Sequence, residues 1–130
     1  MRLLRFVISD RDWRTGQPKG LMSLAYDLLR SGELPSTDEY ELLQHVEWIE
    51  ANLPVPERFA RKRNVSHKNT HGISWIKADA TEAVRRFRAI AEIMNRHDLA
   101  VEVMQTDRPG YIVYEDDWQL VAEPFHGEST

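Results

Sequence analysis

From Leu99 to Phe125, apolar and polar residues follow a period of two in three short runs. Leu99, Val101 and Val103 share one face of the first run. Ile112 and Tyr114 alternate with Tyr111 and Val113 in the second, and Trp118, Leu120 and Ala122 oppose Gln119, Val121 and Glu123 in the third. Successive side chains of a strand point to opposite faces, so each run predicts a strand. Arg108-Pro109-Gly110-Tyr111 and Glu115-Asp116-Asp117-Trp118 separate the runs. Pro109-Gly110 suits a type II turn, in which Gly110 takes a positive φ. Asp116 and Asp117 suit a turn closed by carboxylate bonds to backbone N–H groups. The expectation is a three-stranded antiparallel meander with one apolar and one mixed face.

The rest of the chain supplies a cover for the apolar face. Leu3 to Ile8 is apolar apart from Arg5 and predicts a strand inside the sheet. Leu21, Leu24, Ala25, Leu28 and Leu29 repeat at helical spacing up to Arg30, and Gly32 follows where helices often end in a left-handed residue. Ser36 to Glu39 has capping-box form, and Leu42, Val46, Ile49 and Leu53 then stack on one face until Pro54 and Pro56. Ile73 to Ile76 reads as a brief extended segment or the approach to a helix. Asp79 and Glu82 form a second capping pattern ahead of the strongest helical period: Ala80, Ala83, Val84, Phe87, Ile90, Ala91 and Met94. Arg96 and His97 end it with charges that complement the helix dipole.

The predicted fold class is α+β in the order β-α-α-loop-α-β-β-β, with three helices on one face of a mainly antiparallel four-stranded sheet. Residues 1–130 are expected to form a single globular domain. It carries an irregular basic loop at about 55–72 and a frayed tail after Phe125.

Composition narrows the function classes. A hydrophobic fraction of 42% and a charged fraction of 29% are ordinary for a globular protein. With no cysteine, disulfides, thiolate chemistry and cysteine metal sites are excluded. No apolar run is long enough for a membrane span or a signal peptide, so the expected location is the cytoplasm, without membrane contact. The net charge of −4 conceals segregation: residues 1–56 carry net −3, residues 57–97 net +6 and residues 98–130 net −7.

Four features bear on function. Trp48 lies off the apolar stripe of its helix, among Glu41, Gln44 and His45, which suits either packing on a neighbouring element or a partner anchor. Arg58, Arg61, Lys62, Arg63 and Lys68 surround Phe59 in the basic loop, a mixture able to meet an acidic protein surface or to contact phosphates and stack on bases. His67 and His71 are four apart, the spacing of a helical metal pair, but Lys68 and Gly72 point to solvated loop histidines. Glu115, Asp116 and Asp117 fit turn chemistry better than a cation site. Phosphate-binding, dinucleotide-binding and nucleophile-elbow motifs are all missing.

The leading expectation is a small non-enzymatic binding protein working through protein–protein contacts at Trp48, Arg58, Arg61, Lys62, Arg63 and Lys68, without a cofactor. An inhibitor, immunity or regulatory accessory protein would have this character, by analogy. The second expectation is nucleic-acid binding through residues 58–68, and the third a hydrolase using His67, His71 and carboxylates. Nothing in the sequence specifies an oligomeric state.

Overall fold

The computed structural model describes residues 2–11, 16–53 and 72–125. Within them the chain forms strand β1 (Leu3–Arg11), strand β2 (Pro18–Gly20), helix α1 (Leu21–Ser31) and helix α2 (Ser36–Asn52). Strand β3 (Ile73–Lys77), helix α3 (Thr81–Arg96), and strands β4 (Glu102–Thr106), β5 (Tyr111–Glu115) and β6 (Gln119–Glu123) follow. The class is α+β, with three helices among the described residues. Among the described residues the sheet has six strands rather than four, because Ile73–Lys77 is a full strand and Pro18–Gly20 adds a short return along β1.

The strand order is β2-β1-β3-β6-β5, with β4 also on β1, and every pairing is antiparallel. Leu3 and Leu4 pair at once with Lys77 and Ile76 of β3 and with Thr106 and Gln105 of β4. A strand has only two edges, so β4 lies on the side of β1 away from β3. This corrects the meander. Only β5 and β6 form the expected hairpin, while β4 is the partner of β1.

That correction shapes the molecule. In a flat sheet β4 and β5 would lie four spacings apart, roughly 19 Å. Thr106 and Tyr111 are five Cα steps apart in sequence, which reach at most roughly 18 Å even fully extended. The sheet therefore curls, bringing its outer strands toward each other.

Both faces of the curled sheet carry apolar packing, in contrast to the single apolar face expected. On one face Leu4, Phe6 and Ile76 join Leu21 and Ala25 of α1, Leu42, Val46 and Ile49 of α2, and Phe87, Ile90, Ile93 and Met94 of α3. On the other, Leu3, Ile73, Trp75, Leu120 and Ala122 form a second cluster with Met104 against it. Leu3, Leu120 and Ala122 are 0% exposed, and among the described residues their cluster draws on strands alone. Phe87, expected against the meander, instead stacks on Phe6 of β1, ring centroids 5.5 Å apart.

The helices begin and end for local reasons, two of which differ from expectation. Gly32 terminates α1 with φ 69°, in the left-handed region that glycine tolerates. At the start of α2, Pro35 takes the cap position and accepts the Glu39 N–H through its carbonyl at 2.9 Å; Ser36 is already helical. At the start of α3 the cap is Ala80, without a side-chain bond. Glu82 turns instead to Arg85 and Arg86, whose guanidinium groups compete successfully for its carboxylate. Neither capping box forms. At the far end of α3, Arg96 reaches Asp38 at 3.0 Å and Glu41 at 3.4 Å, so this cation ties two helices together as well as facing a helix terminus.

Candidate binding surface where two helices meet a hairpin turn

Trp48 projects from the flank of α2 that also carries Glu41 and His45. The adjoining α3 presents Arg86, whose guanidinium carbon lies 5.2 Å from the Trp48 ring centroid, close enough for a cation–π contact. Arg86 is held in place: its Nε donates to Glu82 at 2.9 Å, and Nη1 lies 3.2 Å from His45 Nδ1. Glu82 also accepts two bonds from Arg85. Hydrogen bonding from Arg85, then from Arg86, brings the Glu82 carboxyl down to about 2. The His45 imidazole is shifted below 6.5, first by burial and then by Arg86, with Glu41 pulling the other way. A neutral ring suits its place beside a guanidinium.

The turn between β5 and β6 completes the cluster. Asp116 accepts the Tyr114 hydroxyl at 2.7 Å and the N–H groups of Trp118 and Gln119 at 2.8 Å each. Asp116 N–H in turn donates to the Gln119 carbonyl at 2.9 Å. Burial pushes the Asp116 carboxyl up, but the three donors outweigh it and hold it below 3.8. Burial and the bond to Asp116 raise the Tyr114 hydroxyl to about 12. This network fixes the residue that follows it. Trp118 lies in the bend before β6 rather than in the strand, and its ring stacks on Trp48 at 5.8 Å and 19°. It therefore does not share the sheet face of Leu120 and Ala122, as the period of two predicted. Trp118 remains 37% exposed.

The cluster is an aromatic platform. A half-buried indole carries a guanidinium and a second indole, and the second indole reaches solvent. Two of the neighbouring acids are engaged in structural bonds. Asp116 closes the turn, and Glu115 pairs with Lys77 at 2.7 Å. Asp117 lines an open cleft of about 820 Å³ with Arg2, Lys77, Ala78 and Asp79. His97 Nε2 lies 2.7 Å from Asp38, whose other oxygen accepts from Arg96; that His–carboxylate pair joins helix ends.

Of the residues singled out in the sequence, Trp48 and the acidic turn are brought together here. Arg58, Arg61, Lys62, Arg63, His67, Lys68 and His71 lie outside the described residues. Among the described residues no group of three His, Cys, Asp or Glu is placed to hold a metal ion, and no helix is long and apolar enough to cross a membrane. Sequence reasoning missed Trp118 and Arg86 as members of the site. A tryptophan just after a double-aspartate turn was a signal for the first; nothing local distinguishes Arg86 from Arg85 or Arg88. Compared with protein-family models, curated proteins and solved structures, the chain matches none of them.

Proposed function

We propose that this chain is a small non-enzymatic binding protein that works through protein–protein contacts, in the manner of an inhibitor, immunity or regulatory accessory protein. Trp118 is its anchor, backed by Trp48 and Arg86. The observation that carries this reading is the stack itself: an indole 37% exposed is held 5.8 Å from a second indole and on a hydrogen-bonded turn. A rigid aromatic group loses little conformational entropy on binding, and tryptophan and arginine are enriched among residues that dominate binding energy. Arg58, Arg61, Lys62, Arg63 and Lys68 enter the proposal on their charge alone, as a basic complement to an acidic partner surface. The proposed location is the cytoplasm, supported by an ordinary composition of 42% hydrophobic and 29% charged residues.

The test is affinity capture from source-cell lysate, with and without nuclease, using wild type and Trp118→Ala. A protein captured by wild type, retained after nuclease and weakened by roughly 30-fold in the variant is the expected result; that factor corresponds to about 2 kcal/mol. Equal capture by the two proteins would refute Trp118 as the anchor. Capture abolished by nuclease would move nucleic-acid binding through residues 58–68 to first place, and steep salt dependence would accompany it.

A further inference from the structure

We propose that the outward ridge of α2 docks a basic amphipathic segment of a partner protein. The core uses Leu42, Val46, Ile49 and Leu53, all buried. The flank bearing His45 and Trp48 meets α3, and Tyr26 of α1 donates to Glu50 at 2.9 Å on the other side. The remaining face points to solvent, yet it is not uniformly polar. Tyr40 is 65% exposed and Leu43 is 41% exposed. Their three-residue spacing makes them neighbours on the helix surface. Neither is needed by the core, and together they offer an apolar seat.

Charge around this seat selects its occupant. At about 100° per residue, Glu39 and Glu47 fall on the same side of the helix as Tyr40 and Leu43. Among the described residues Glu39 and Glu47 have no ion-pair partner, unlike Asp38 and Glu41, which Arg96 engages. Residues 21–52 hold seven acidic residues and a single Arg or Lys, Arg30. Arg30 is itself bonded to Asp27. Such a surface repels phosphate backbones and acidic proteins. It attracts a segment with Lys or Arg on one face and large apolar residues on the other, the combination used when an amphipathic helix docks on a protein. An apolar side chain of that segment packs across Tyr40 and Leu43, and its cations reach Glu39 and Glu47. This surface shares with the proposed function only the class of partner; it does not involve Trp118.

The probe is an 18-residue peptide of Leu and Lys at helical spacing, followed by fluorescence anisotropy against the full chain. A scrambled Leu/Lys peptide and a Leu/Glu peptide of the same pattern are the controls. Wild type is expected to bind the amphipathic basic peptide, and Trp118→Ala to bind it equally well. Tyr40→Ser/Leu43→Ser and Glu39→Gln/Glu47→Gln should each weaken it by roughly tenfold or more. These substitutions sit at the surface, and urea unfolding of each variant verifies that the fold is retained. Failure of the wild type to bind, undiminished binding by either double variant, or equal binding of the scrambled or acidic peptide would each overturn the proposal. Lysate capture through Trp118 is a separate readout, so either proposal can fail while the other stands.

Discussion

Gly110, in the bend just before β5, sits directly against the backbone of Glu123, the last residue of β6. A Cβ on Gly110 would collide with the Glu123 carbonyl oxygen, with the carbonyl carbon at 2.7 Å and with Pro124 Cα at 2.9 Å. Its φ of +126° is also one that side chains rarely adopt. Glycine is thus required twice, for conformation and for space. Gly110→Ala and Gly110→Val should both destabilise the protein by about 1–3 kcal/mol in urea unfolding. Because the first added carbon does the damage, alanine should be nearly as harmful as valine. Wild-type stability in either variant would contradict this packing.

Phe87 joins α3 to β1 through its stack on Phe6. It is buried, and Ile90, Ile93 and Met94 in the same cluster are 0% exposed, which leaves little freedom to fill a void. Phe87→Ala should cost about 3–5 kcal/mol, measured by urea denaturation. A loss near zero would place the wrong residue at the centre of the helix–sheet core.

Asp116 and Asp117 are adjacent and chemically alike but differ in their bonds. Asp116 accepts three hydrogen bonds, whereas Asp117 lines the open cleft. Asp116→Ala should destabilise by about 1–3 kcal/mol, since two backbone N–H groups and a hydroxyl lose their acceptor. It should also loosen Trp118 and alter tryptophan fluorescence. Asp117→Ala should change neither property appreciably, and equal effects of the two substitutions would count against the turn network.

Trp48 and Trp118 should be energetically coupled. A double-mutant cycle on stability, with each indole replaced by Leu, should return about 0.5–1.5 kcal/mol of interaction. Strict additivity would show that the stack contributes nothing. Because Trp48 supports the fold as well as the platform, Trp118→Ala is the cleaner binding variant.

His45 makes stability depend on mild acidity. Its folded-state pKa is below 6.5, through burial first and Arg86 second. As pH falls, the unfolded chain takes up this proton before the folded one does. Stability therefore declines as pH drops below 6.5 and goes on declining until folded His45 itself protonates. Above that range His45 adds no pH dependence. His45→Gln should flatten this part of the profile in urea midpoints measured across the titration range; an unaltered slope would show that another group is responsible.

Much of the local structure was legible in the sequence. The helical period placed α1, α2 and α3 within a residue or two, because buried positions spaced by three and four residues define a helix face without reference to anything distant. Gly32 and Gly110 announced their positive φ values, and the acidic turn with its flanking alternation announced the β5–β6 hairpin. Trp48 stood out because it violated its own helix's pattern.

What the local pattern did not contain was partnership. Alternation at Leu99, Val101 and Val103 predicts a strand, which the structure places a little later, at Glu102–Thr106; it does not show that the neighbour is β1 at the opposite end of the chain rather than β5 a few residues on. Capping motifs show that Ser36 and Glu82 can cap; competition from Pro35, Arg85 and Arg86 decided that they do not. The stack of Trp48 on Trp118 spans 70 residues of sequence and exists only once the hairpin turn and α2 are packed together. Hydrophobic period reports which side of an element is buried. Which element buries it is settled by packing all of them at once, and that information resides in the tertiary structure alone.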